Sequence, residues 1–147
     1  LGRRLTQCRL MRNNKITALA ARVEPLAYAA LRIVSGAMFA FHGAQKILGW
    51  HAERTPPVGS QLWFGGLIEL VCGLLIALGL LTRCAAFLAS GTMAVAYIQF
   101  HWKFAVAGAM WLPALNHGEL AVLYCFLFLF VAARGAGAAS LDAARRR

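Results

Sequence analysis

The sequence predicts an all-α integral membrane protein: a four-helix bundle with both termini on the cytoplasmic side. Three observations carry that expectation. The 147-residue chain is 61% hydrophobic and 14% charged, with a mean hydropathy of +0.64, whereas soluble domains are about 25% charged and 45–50% apolar. Residues 62–81, LWFGGLIELVCGLLIALGLL, form an unbroken apolar run with one charge inside it, Glu69. At about 1.5 Å per residue, twenty such residues cross roughly 30 Å, the thickness of a bilayer's hydrocarbon. Finally, eleven of the fifteen Lys and Arg residues lie in the two terminal segments and one tight turn, outside the apolar runs. Segregated in this way, the net charge of +10 belongs to topology signals and anionic headgroup contacts. Nucleic acid is excluded as a partner, because binding it would need a soluble basic face.

Taken in order, residues 1–24 carry Arg3, Arg4, Arg9, Arg12, Lys15 and Arg22 against one acid, Glu24, and read as a basic cytoplasmic tail. The first span is expected over 26–48, with Pro25 suited to a helix start. Within it Arg32, Ser35, Phe39, His42 and Lys46 recur at three- and four-residue steps and share one face. Arg32, near the inner end, has a stem long enough to snorkel toward the headgroups. A polar loop with Pro56, Pro57 and Gly59 leads to the second span, 62–81. Thr82 and Arg83 then make a turn so short that the second and third spans must be antiparallel neighbours. The third span is expected over 84–104, with Tyr97 and His101 on one face, and the fourth over 116–133. Between them, 105–118 reads as a loop lying in the interface or dipping into it. Residues 135–147 form a second cytoplasmic tail, rich in Gly and Ala and ending in three arginines.

With both tails inside, the inner face holds eleven basic residues and the outer face three, Lys46, Arg54 and Lys103, a clear positive-inside asymmetry. Trp50, Trp63, Trp102 and Trp111 all fall on the outer side, where an indole finds both apolar contact and a hydrogen-bond partner.

On this topology the costly polar residues converge. A carboxylate at the centre of a span costs on the order of 2.5–3.5 kcal/mol, so Glu69 should face other helices and find a partner in His42 or Lys46. His101 lies near the outer end of the third span; Asn116, His117 and Glu119 open the fourth. Gly65, Glu69, Gly73 and Ala77 recur at four-residue steps, a small-residue face that would bring a neighbouring helix close to Glu69. A Glu–His pair there could exchange protons with the outside, or the group could be a structural ion pair that fixes helix register. No metal is expected. Cys8, Cys72, Cys84 and Cys125 form no CxxC, and His42 with Lys46 is not a metal pair, because Lys is a poor ligand.

Three stretches together resemble the DoxX family of small four-helix membrane proteins. They are LRIVSGAMFAFHGAQKILG at 31–49, GGLIELVCGLLIALGLLTRCAA at 65–86, and NHGELAVLYCFLFLFVAARGAGAASLD at 116–142. Ala136, Ala138 and Ala139 depart from the family's usual tail. The resemblance implies a bacterial-type plasma-membrane protein associated with quinol or thiol redox chemistry. It nominates His42, Lys46, Glu69, Asn116 and Glu119 as a shared polar site for a quinone or similar apolar ligand, and the topology adds His101 to the candidates. The chain shows no flavin, haem or iron–sulfur motif, so electrons would come from a membrane redox partner. The alternative is a non-catalytic scaffold or assembly subunit. Contacts with the bilayer are expected in either case, and oligomerisation is left open.

Overall fold

The computed structural model describes residues 2–104 and 109–145, with side chains from residue 17 onward. Residues 105–108, part of the predicted interfacial loop, and the side chains of the first five basic residues lie outside the described ones. Those described form α-helices and loops: α1, Gly2–Leu48; α2, Gln61–Leu78; α3, Thr82–Ala96, prolonged by a π-helical segment, Tyr97–Trp102; α4, Glu119–Arg134; and a final turn, α5, Leu141–Ala144. Three helical stretches, Thr17–Leu48, Gln61–Leu78 and Thr82–Trp102, are long and apolar enough to cross a membrane. With 16 residues, α4 is about 24 Å long.

α1 does not begin at Pro25 but runs through it. Proline removes one intrahelical hydrogen bond, leaving the carbonyl of Ala21 without its partner. Ala21 itself is exposed, and it lies among the good helix formers Ala18, Leu19, Ala20 and Arg22, so the helix tolerates the loss.

Antiparallel neighbours follow one another along the chain. α1 and α2 approach backbone to backbone. A Cβ added to Gly36 would lie 2.6 Å from the Ala77 amide nitrogen, one on Gly43 2.6 Å from the Gly66 carbonyl oxygen, and one on Gly73 2.7 Å from the Gly36 oxygen. The small-residue seam on α2 therefore passes through Gly66, Gly73 and Ala77 rather than Gly65, which has open space where a side chain would be. The reason is geometric: strict four-residue steps drift around a 3.6-residue helix, whereas alternating three and four keeps one face. α4 closes the bundle. Phe39 of α1 meets Phe128 and Tyr124 at ring-centroid distances of 4.8 and 5.6 Å. Ser90 Oγ of α3 donates to the Cys125 carbonyl at 2.8 Å. Phe39, Ile76, Ala86, Ala89, Phe128 and Val131 are almost wholly enclosed in the resulting core.

The opposite end from Lys46 is held by charged caps. Arg32 does not snorkel; it is completely buried. Its guanidinium donates to the Ile76 and Ala77 carbonyls at 2.5 and 2.8 Å and to Ala139 at 2.7 Å, while Nε has no partner. Apart from the capping bond of the Gly79 amide to Ile76 O at 3.1 Å, the last carbonyls of α2 lack backbone donors one turn on and, inside a bundle, lack water as well. A cation placed there satisfies them and opposes the negative end of the helix dipole. Arg83 does the same for α4, donating to the Ala132 and Ala133 carbonyls at 2.9 and 2.6 Å.

Residues 135–145 pack onto this end. Asp142 accepts from the Leu81 and Thr82 amides and from Thr82 Oγ1, each at 3.0 Å, while its own amide donates to Gly79 at 2.9 Å. Gly79 closes α2 at φ +70°, and a Cβ there would lie 2.8 Å from Arg32 Nη1. Both the backbone conformation and the space demand glycine.

Three outcomes follow for stability, read as thermal unfolding in detergent. Gly43→Ala is expected to destabilise by about 1–3 kcal/mol, the cost of an overpacked contact, whereas Gly65→Ala, pointing into open space, should be neutral or stabilising by up to about 1 kcal/mol. Asp142→Ala, which removes the cap from α3, should cost about 1–2 kcal/mol.

Candidate functional site

At the other end of the bundle the close α1–α2 seam positions an ion pair. Lys46 stands in the last turn of α1, and Gly66 faces it. A Cβ on Gly66 would lie 2.6 Å from Lys46 Cβ, so the missing side chain is what lets the lysine stem cross α2. Its Nζ reaches Glu69 Oε1 and Oε2 at 2.5 and 2.7 Å. Glu69 keeps 5% of its side chain exposed and Lys46 35%; the carboxylate is buried and the ammonium lies at the margin. The partner of Glu69 is thus lysine. The short imidazole of His42 turns instead to its own helix, with Nδ1 3.2 Å from Gln45 Oε1.

A cavity of about 340 Å³ adjoins the pair, lined by His42, Lys46, Glu69, His101 and His117 among the apolar side chains of Phe39, Met93, Phe100 and Tyr124. Three of its walls come from α1, α2 and α3. The remaining one is built by Leu120, Ala121 and Tyr124 of α4 together with His117 from the loop into it, and Asn116 organises that loop. Asn116 is buried; its Oδ1 accepts from the Gly118 amide at 2.8 Å, and its Nδ2 donates to Met110 O at 2.9 Å and to Tyr97 Oη at 3.3 Å. Tyr97 in turn donates to the Trp111 carbonyl.

The π-helical segment carries both Tyr97 and His101 and closes with a bond from the Lys103 amide to Ile98 O at 2.8 Å. Such a segment inserts one extra residue into a helical turn and re-aims the side chains beyond it. His101 Nδ1 lies 3.3 Å from the Asn116 carbonyl. A carbonyl can only accept, so Nδ1 carries the proton in this contact, which leaves Nε2 as the acceptor in the neutral form of the ring. His117 sits at φ +58°, a conformation that non-glycine residues adopt at a cost and that the surrounding loop must enforce.

Of the six residues singled out from the sequence, His42, Lys46, Glu69 and His101 line this one cavity. Asn116 holds its loop wall. Glu119 is exposed in the first turn of α4 and is not among the lining residues. His117, which the sequence places with Asn116 and Glu119 at the start of the fourth span, joins the wall through the loop's fold. Gly66 lies three residues before Glu69 on the same helical face, and the four-residue pattern passes over it.

A second cavity, of about 420 Å³, lies on the other side of the ion pair, between α2 and α3. Lys46, Leu62, Glu69, Ala96 and Phe100 border both cavities. The described residues contain no cluster of three or more His, Cys, Asp or Glu side chains placed to hold a metal.

Span-length apolar helices, a glycine-tight helix pair and a carboxylate buried within it define a small integral membrane protein of several passes. The chain belongs to the DoxX family: the family's model matches residues 27–102, just over half of the sequence. It is also 42% identical over 125 residues to an uncharacterized protein of Haemophilus influenzae, a match covering 82% of this chain and 92% of that one. No solved structure matches.

Removing the two charges singly should have unequal effects. Lys46→Met strands a buried carboxylate and is expected to destabilise by on the order of 3 kcal/mol, while Glu69→Gln leaves a lysine that can reach water and should cost less. The double variant should recover most of the loss in a double-mutant cycle of thermal unfolding.

Proposed function

We propose that the protein is a redox-associated component of a bacterial-type plasma membrane that binds a quinone or similar apolar ligand beside the Lys46–Glu69 pair. The observation that carries this reading is the lining of the cavity. Its volume lies within the roughly 300–1,000 Å³ of small-molecule sites, and like them it pairs apolar walls with a few convergent polar groups. An oxidised quinone needs hydrogen-bond donors at its carbonyls, and Lys46 supplies one. A quinol needs acceptors at its hydroxyls, and Glu69 and the Nε2 of His101 supply them. A carboxylate and imidazoles beside the ligand can also take up or deliver protons as its charge changes. Electrons would pass to or from a membrane partner.

The orientation belongs to the same proposal. The eleven-to-three distribution of basic residues supports cytoplasmic termini, which puts the cavity in the outer half of the membrane, with α4 as the fourth crossing. Asn116 acts through the loop it holds rather than by touching the ligand.

The test is binding of a chain-free benzoquinone to the purified protein in nanodiscs. Saturable binding by the wild type is expected, weakened at least about tenfold in Glu69→Gln and in His42→Ala, which corresponds to about 1.4 kcal/mol. Circular dichroism and melting would confirm that both variants fold. Should Glu69→Gln unfold, His42→Ala carries the test. An absence of saturable binding by the wild type would overturn the quinone reading and favour a scaffold role for the pair.

A further inference from the structure

The α2–α3 cavity has features that the ion pair alone does not explain. It is flanked by two glycines on facing helices, Gly65 of α2 and Gly91 of α3, and a Cβ on either would have no neighbour within 4 Å. The remaining walls are largely apolar or small, including Ile68, Leu88, Thr92, Val95 and Ala96. Phe64, Phe87 and Leu88, also on its walls, are exposed side chains of membrane-spanning helices. At its outer end Gln61 Nε2 donates to Gln99 Oε1, bridging α2 and the π-helical segment. At its inner side stands the Lys46–Glu69 pair, about 12 Å along α2 from Gln61 by helix rise.

From this arrangement we infer that the α2–α3 cavity is a lateral site for the single hydrocarbon chain of a neutral, membrane-dissolved amphiphile whose polar head meets the ion pair. Three arguments fix the occupant. The Gln61–Gln99 bridge spans the end nearest water, so the open approach is sideways, from the hydrocarbon. The two absent side chains leave a channel between helices that a flexible chain fills. Finally, lysine and carboxylate neutralise each other, so a charged head would leave one charge uncompensated in a desolvated place. A carbonyl or hydroxyl, by contrast, can use the third ammonium proton of Lys46 or a free lone pair of Glu69. The identification of that head with a quinone rests on the function proposed above; the chain site does not.

The experiment uses the full chain in nanodiscs and octadecanol bearing a mid-chain diazirine, which contains no quinone. Illumination followed by peptide mapping should concentrate label on 61–69 and 87–96. The lipid-facing groove of α1 and α4 around Leu31, Val34 and Leu123 serves as the internal reference. The Gly65→Leu, Gly91→Leu double variant extends side chains into the space open beside both glycines and should cut labelling of the two segments at least fivefold relative to that reference. Gly65→Ala should retain it. The matching stearate, ionised at pH 9, should label the segments less than the alcohol does. Labelling spread evenly over all lipid-facing helices, or unchanged in the double leucine variant, would overturn the proposal. Because the benzoquinone measurement has no chain, loss of one result leaves the other standing.

Discussion

The structure depends most on a buried guanidinium. Arg32 ties three separate parts of the chain together: its own helix α1, the final carbonyls of α2, and Ala139 in the segment after α4. In water those carbonyls would be solvated without cost. Inside a helical bundle each one left bare costs several kcal/mol, and a single planar donor with five N–H groups can satisfy several at once. That guanidinium is also attracted to the negative end of α2. Arg83 repeats the solution on α4, so one end of the molecule sets cations on carbonyls, beside a surface ion pair between Arg134 and Glu24.

The opposite end uses charge differently. Lys46 and Glu69 are joined across a seam so close that backbone meets backbone, and Gly36, Gly43, Gly66 and Gly73 make that approach possible. Van der Waals packing supplies what the hydrophobic effect does not in a membrane. The seam thereby fixes where a carboxylate sits, and the two cavities on either side of it share the pair as a common wall. A rigid contact and a ligand-accessible polar group are produced by the same few residues.

Much of this was legible in the sequence. A single acid in twenty apolar residues announces burial and a partner, and the face shared by His42 and Lys46 limits the choice of that partner. The choice itself depended on reach: a four-carbon stem crosses Gly66 to α2, and an imidazole does not. Arg32 was visible as a charge within a span. That the end of α2 and residue 139 converge upon it is a long-range fact that no local pattern carries. Snorkelling was the local answer, and burial was the global one. The small-residue seam was misplaced by one position because four-residue steps leave a helix face, and the wall bearing His117 depends on loop dihedrals that periodicity does not encode.

The clamp of residues 139–142 on the α2–α3 turn also sets an order of assembly. Gly79, Leu81 and Thr82 are synthesised some sixty residues before Asp142, and Arg32 more than a hundred before Ala139. At biosynthetic rates of about 5–20 residues per second, the α1–α2–α3 portion exists for several seconds before the residues that complete its Arg32 end. During that interval the α3 cap and one of the Arg32 acceptors must be borrowed from water or lipid headgroups. The Arg32 end is thus the last part of the protein to mature, and its closure reports that the fourth helix is already in place.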